Sequence, residues 1–188
     1  MNLEKPEEIT RALHLVDREI WVVTAATADG RRGGSVVTSV WVDLLDAEHP
    51  RLAVGITPSH FTAELLAASE TFAVHLLRSD QSAVAWNFAS GSGRDRDKLA
   101  GLATNTSARG TPILANCLAW LECRCSGSYQ AMDRVFYAGD ILAGEQVASG
   151  QPLRENGFIA SLTDSQRREL AAAKAADLEL VKSRREPG

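Results

Sequence analysis

The chain has 188 residues and a formal net charge of -4, with 45% hydrophobic and 23% charged residues. A single domain of that size buries a core without disulfide or metal staples, and the acidic excess argues against a nucleic-acid partner, which would need surplus Lys and Arg. No stretch approaches the roughly 18 consecutive apolar residues of a membrane span, and the acidic opening MNLEKPEEITRALHL has no apolar core of a secretory signal, so no membrane association and a cytoplasmic setting are expected.

Residues 1–19 read as a short amphipathic helix or ordered arm, with Pro6 in a first turn where a missing N–H costs little. Ile20–Ala26 (IWVVTAA) is a buried strand, and Asp29-Gly30 signals a hairpin into a second strand, Ser35–Val42. Arg51–Thr57 is a third strand. Ser59 then stands as the N-cap of a helix with Phe61, Leu65 and Leu66 at helical spacing. Thr71–Leu77 is a fourth strand, Gln81–Ala89 a helix and Arg94–Gly101 a short charged helix. Pro112–Asn116 reads as a connector. Leu118–Ser126 and Val135–Leu142 are two more strands, joined by a loop over Gly127–Arg134. Residues 143–160 read as irregular. Thr163 to Lys182 is rich in strong helix formers, and Thr163 with Gln166 makes a capping box.

This order lacks the regular strand–helix alternation of a doubly wound sheet. It fits a mainly β chain with peripheral helices, built as a closed or nearly closed antiparallel barrel, because closure removes exposed strand edges.

Three segments offer chemistry. Thr57-Pro58-Ser59-His60-Phe61-Thr62 leaves a strand and opens a helix, whose free N–H groups and partial positive charge suit a phosphate or carboxylate; plain helix capping explains Ser59 as well. Gly33-Gly34-Ser35-Val36-Val37-Thr38-Ser39 puts two glycines before hydroxyl residues. That lets a ligand approach the backbone, or simply feeds a hairpin into a strand. Arg94-Asp95-Arg96-Asp97-Lys98 is either a solvated face or, at Lys98, a cation for a phosphate.

Other residue types argue for structure. The histidines, His14, His49, His60 and His75, show no metal-ligand spacing, and His75 within an apolar strand reads as a satisfied core residue. Cys117, Cys123 and Cys125 read as reduced thiols, with Cys123 and Cys125 on one strand face. Trp21, Trp41, Trp86 and Trp120 read as core or interface packing.

Taken in order from about residue 16 to 158, these segments resemble the flavin-reductase-like family of FMN-binding split barrels. The resemblance is carried by Ile20–Ala25 with Asp29-Gly30, by Gly33–Ser39, by VGITPSHFTAELL over 54–66 and by FAVHLL over 72–77. Phe88 with Asp97-Lys98-Leu99, Thr111-Pro112-Ile113-Leu114 leading into AWLEC, and Phe136–Ile141 complete it.

The resemblance implies a split antiparallel β-barrel domain over 1–160 with a C-terminal helical extension over 161–188. It implies a homodimer that binds FMN, or alternatively FAD, and reduces it with NADH or NADPH, supplying a partner flavin-dependent monooxygenase. A non-catalytic flavin-binding electron carrier of the same fold is the alternative. By the same resemblance the flavin contacts would be Ser35, Thr38, Ser39, Thr57, Ser59, His60, Thr62 and Lys98.

Some positions depart from the family pattern. Met132-Asp133-Arg134 stands where many members have Gly-Asp-His, which makes Arg134 a candidate for the nicotinamide donor's phosphate. His75 replaces an Asn, His49-Pro50 a Pro-Pro, and Trp41 a serine of the flavin segment.

Overall fold

The computed structural model describes residues 4–131 and 133–183. In chain order the elements are α1 (Pro6–Leu13), β1 (Trp21–Ala26), β2 (Arg32–Val37), β3 (Val40–Asp43), β4 (Arg51–Ile56), α2 (Phe61–Ala68), β5 (Thr71–Leu76), α3 (Ser82–Ala89), β6 (Thr104–Thr106), β7 (Pro112–Leu114), β8 (Ala119–Gln130), β9 (Val135–Gln146), α4 (Glu155–Ser161) and α5 (Asp164–Ser183). Seven strands form one sheet in the order β2-β1-β5-β8-β9-β4-β3, every pair antiparallel.

The two outermost strands of that sheet, β2 and β3, are consecutive in the chain and separated only by Thr38-Ser39. The sheet therefore rolls until its edges meet at those two residues. The expected single strand Ser35–Val42 breaks there because its first half pairs with β1 and its second half with β4. The Ser39 carbonyl still accepts the Gly55 N–H at 2.8 Å, which fastens the split to β4.

Rolling separates two cores. The inner one gathers Val23, Val54, Phe72, Val74, Cys123 and Tyr137 beneath Leu65 and Leu66 of α2. The outer one sets Ile20, Val22 and Leu77 against Ala85 and Phe88 of α3 and Phe158 of α4. Each such buried side chain contributes about 1.5–3 kcal/mol of burial.

His75, fully buried on β5, ties the sheet to the short β6–β7 hairpin. Its Nε2 accepts the Leu114 N–H at 3.1 Å, so the proton sits on Nδ1, which donates to the Val22 carbonyl at 3.0 Å. Burial holds its pKa down at about 4. Further polar ties hold the same hairpin: Thr24 Oγ1 donates to the Pro112 carbonyl at 2.6 Å, and buried Glu122 accepts from Ser107 and Arg109.

Several expectations are corrected. Arg94–Gly101 forms turns instead of a helix. Ser92 Oγ takes the Arg94 N–H at 3.1 Å and Asp97 Oδ1 the Leu99 N–H at 2.9 Å, and such local bonds compete with a helix. Pro112–Asn116 is not a bare connector, since its first residues form β7. Strands β8 and β9 run past their expected ends, with bulges at Glu122/Cys123 and Cys125/Gly127, and leave only 131–134 as their turn. Residues 143–160 hold the end of β9 and all but the last residue of α4.

The α5 capping box forms as read: the Thr163 N–H donates to Gln166 Oε1 at 2.8 Å and the Gln166 N–H to Thr163 Oγ1 at 3.3 Å. The three cysteines are free thiols, and burial raises Cys117 to about 11 and Cys123 to about 12. Among the described residues no helix is long and apolar enough to cross a membrane.

Candidate functional site

The split brings together residues far apart in sequence. Thr38 and Ser39 lie at the break itself. Gly55 stands beside Ser39, and a Cβ there would meet the Phe136 ring at 2.9 Å and Ser39 Cβ at 3.0 Å, so only glycine admits this approach. Two residues on, Thr57 Oγ1 accepts from Arg134 Nη1 at 3.1 Å, while the Asp133 carbonyl takes the same nitrogen at 2.8 Å. The Arg134 guanidinium also lies 3.7 Å from the Asp133 carboxylate, so this corner holds an ion pair. Met132 lies outside the described residues.

The chain turns from Thr57 into α2, with the His60 N–H donating to the Thr57 carbonyl at 3.0 Å. The N-cap of α2 is His60, not Ser59 as expected, and no side chain caps the helix. Ala63 donates to the His60 carbonyl, and among the described residues the Phe61 and Thr62 N–H groups have no acceptor. Such free N–H groups in a first turn attract anions.

Ser59 is drawn away from capping because its hydroxyl donates to Asp177 Oδ1 of α5 at 3.0 Å. Asp177 Oδ2 meets His60 Nε2 at 3.0 Å. Arg94 donates to the Ser59 carbonyl at 3.1 Å, pairs with Glu64, and lies 5.8 Å from the centroid of the Phe61 ring.

Thr38, Ser39, Thr57, Ser59, His60 and Arg134 thus share one corner. Three expected residues sit differently. Thr62 is in the first turn of α2 but buried. Ser35 is on the face of β2 that Gly33 presents to Phe61 and Leu65, so its hydroxyl lies beneath α2, buried and without a hydrogen-bond partner. Lys98 is only 4% exposed, and its Nζ donates to the Phe88 carbonyl at the end of α3 at 2.8 Å. Burial, helped by Arg96, lowers its pKa to about 8. It therefore does not extend toward the corner.

Beside the corner, the outer face of β3-β4-β9-β8 carries small residues between aromatic ones. Register aligns Trp41, Ala53, Ala138 and Gly127 in one row, and Gly55, Phe136 and Tyr129 in the next. Trp41 is 63% exposed and Tyr129 71%. A low-relief apolar floor beside a hydroxyl-lined corner that holds the Arg134 guanidinium fits a flat aromatic cofactor with an anionic tail, and the unsatisfied N–H groups of α2 fit that tail.

Sequence reasoning missed Asp177, which looks like any surface acid on a helix and meets its partners across 118 and 117 residues. It also preferred Lys98 to Arg94 within one charged run. Charge pattern alone does not separate a buried cation from an outward one.

A rolled antiparallel sheet divided at Thr38-Ser39 defines the split-barrel class. The family described as "Flavin reductase like domain" matches residues 13–171. The FMN reductase (NADH) SmoA of Agrobacterium fabrum is 29% identical over 156 residues, covering 82% of this chain and 84% of its own. The high molecular weight rubredoxin of Moorella thermoacetica is 29% identical over 146 residues and 77% of this chain, which spans only 62% of that protein's length. Among solved structures, the styrene monooxygenase flavin reductase of Pseudomonas putida superposes with a TM-score of 0.65 at 26% identity, covering 78% of this chain and 90% of that one. The chain belongs to the flavin reductase like domain family.

Proposed function

We propose that this chain is a cytoplasmic NAD(P)H-dependent flavin reductase that takes FMN, with FAD as the alternative, and NADH or NADPH as donor. The observation that carries this reading is the gathering of Thr38, Ser39, Thr57, Arg134 and the α2 N-terminus at the split. A bound flavin supplies the two-electron acceptor, and the protein supplies binding, orientation and electrostatics.

In this reading the Thr38 and Ser39 hydroxyls and backbone hold the polar edge of the ring system, over the floor made by Gly55 and Phe136. The α2 N–H groups, that of Thr62 among them, hold the phosphate with Ser59 and His60. Arg134, fixed by Thr57, offers its remaining donors to a phosphate of the nicotinamide donor. Ser35 and Lys98 support the site through packing.

The exposed aromatic face made by Trp41 in one row and Phe136 and Tyr129 in the next supports a homodimer closing over it. The name of the Pseudomonas relative supports a monooxygenase as recipient of reduced flavin. Arg134 in place of a titratable group favours the second reading, a flavin-binding electron carrier. Steady-state oxidation of NADH and NADPH with excess FMN or FAD separates the two: a reductase turns over many equivalents, whereas a carrier does not.

A further inference from the structure

Helix α5 starts inside the part of the chain that matches the family, which ends at residue 171, and reaches the corner with the turns beyond it. Its beginning is well anchored. The capping box fixes its first turn, Leu162 is buried just before it, and Leu170 packs on the outer core. Its second half is held differently. Val181 is the one buried residue of the helix, while Leu178 and Leu180 are about half exposed. Among the described residues the directional contacts of that half with the barrel are those of Asp177, at 3.0 Å to Ser59 Oγ and 3.0 Å to His60 Nε2.

These contacts stand at the start of α2. A carboxylate and a phosphate are both ligands of choice for a helix N-terminus, and both accept from the same hydroxyl and imidazole donors. A phosphate that draws on the same hydroxyl and imidazole meets the Asp177 carboxylate at contact distance, where like charges repel. The pair is also partly open to solvent, with His60 42% and Asp177 30% exposed, so water screens it and the contact is reversible.

We infer that the second half of α5 is a displaceable latch, in which the Asp177 carboxylate holds the Ser59 hydroxyl and the His60 imidazole beside the free N–H groups of the α2 N-terminus until the phosphate of an incoming flavin takes those two side-chain donors from it. The latch rests on the reading above that Ser59 and His60 serve a flavin phosphate. It goes further by making phosphate binding and α5 docking mutually exclusive. A flavin without a phosphate does not meet Asp177, so the latch discriminates between FMN and riboflavin.

The test uses the full chain and its Asp177→Ala variant, with FMN and riboflavin titrations and hydrogen–deuterium exchange over residues 171–183. The variant is expected to bind FMN about fivefold more tightly, the scale of losing a competing exposed contact, with riboflavin affinity unchanged. In the wild-type chain, FMN and inorganic phosphate, against chloride at equal ionic strength, should speed α5 exchange toward the variant's rate, and riboflavin should not. Unchanged or weaker FMN binding by the variant, or α5 exchange slowed or unaltered by FMN, overturns the latch while leaving the flavin reading intact. If neither flavin binds either protein, the flavin reading falls. The phosphate arm then separates the two: faster α5 exchange keeps displacement of Asp177 by a phosphate while removing flavin as its source, and unaltered exchange removes the latch as well.

Discussion

Lowering the pH should destabilise the fold through His75 by an amount the structure sets. The imidazole is fully buried and neutral, with Nε2 accepting the Leu114 N–H and Nδ1 donating to the Val22 carbonyl. Protonation removes the acceptor, orphans a buried N–H and leaves a charge with no carboxylate among its hydrogen-bond partners. Its pKa is about 4 in the folded chain against an ordinary value of 6.5. The unfolded chain therefore binds the proton more readily. The stability His75 confers is complete above about pH 6.5 and drains away as the pH falls toward 4, by about 3 kcal/mol in all. Urea unfolding of the wild-type chain and of His75→Gln at several pH values between about 7 and 4 reads this directly, because glutamine does not titrate. The wild type should lose about 3 kcal/mol more than the variant across that window. Parallel pH dependences would refute the argument, as would an NMR titration placing the folded imidazole near 6.5.

Two further outcomes concern the site. Thr57→Val and Arg134→Ala should not be additive in kcat/KM for the nicotinamide donor, because the Thr57 hydroxyl accepts from the Arg134 guanidinium; a coupling of about 1 kcal/mol is expected in a double-mutant cycle, and strict additivity would place the two residues in separate roles. Lys98→Met should leave FMN affinity within about twofold of wild type, since the Lys98 ammonium is turned inward onto the Phe88 carbonyl; a loss of about tenfold would mean that the side chain reaches the ligand.

The fold was legible in the sequence wherever local chemistry decides it. Apolar β-branched runs marked β1, β4 and β5, Asp29-Gly30 marked the hairpin with Gly30 at φ +88°, and Thr163 with Gln166 marked the start of α5. The break at Thr38-Ser39 was not legible, because nothing in SVVTSVWV says that its two halves pair with opposite edges of a rolling sheet. The extra length of β8 was hidden by Gly127 and Ser128, which read as loop residues although a bulge at Cys125/Gly127 carries the ladder past them, and that of β9 by Gly144, Glu145 and Gln146, which have no strand pattern of their own.

Site residues divide the same way. Thr38, Ser39, Thr57 and His60 follow from glycine-then-hydroxyl and strand-to-helix patterns. The separation of Ser35 and Lys98 from them depends on which way a side chain faces. The Thr57–Arg134 and Ser59–Asp177 contacts bridge 77 and 118 residues, a distance over which no spacing rule operates.

The most direct test of the reductase reading is anaerobic. Protein is titrated with FMN or FAD to saturation, then NADH and NADPH are added in turn while the visible flavin absorbance is followed. Saturable binding followed by bleaching with at least one nucleotide is the predicted result, and the nucleotide that bleaches faster is the donor. Flavin that binds and stays oxidised with both nucleotides, or that does not bind at all, would contradict it.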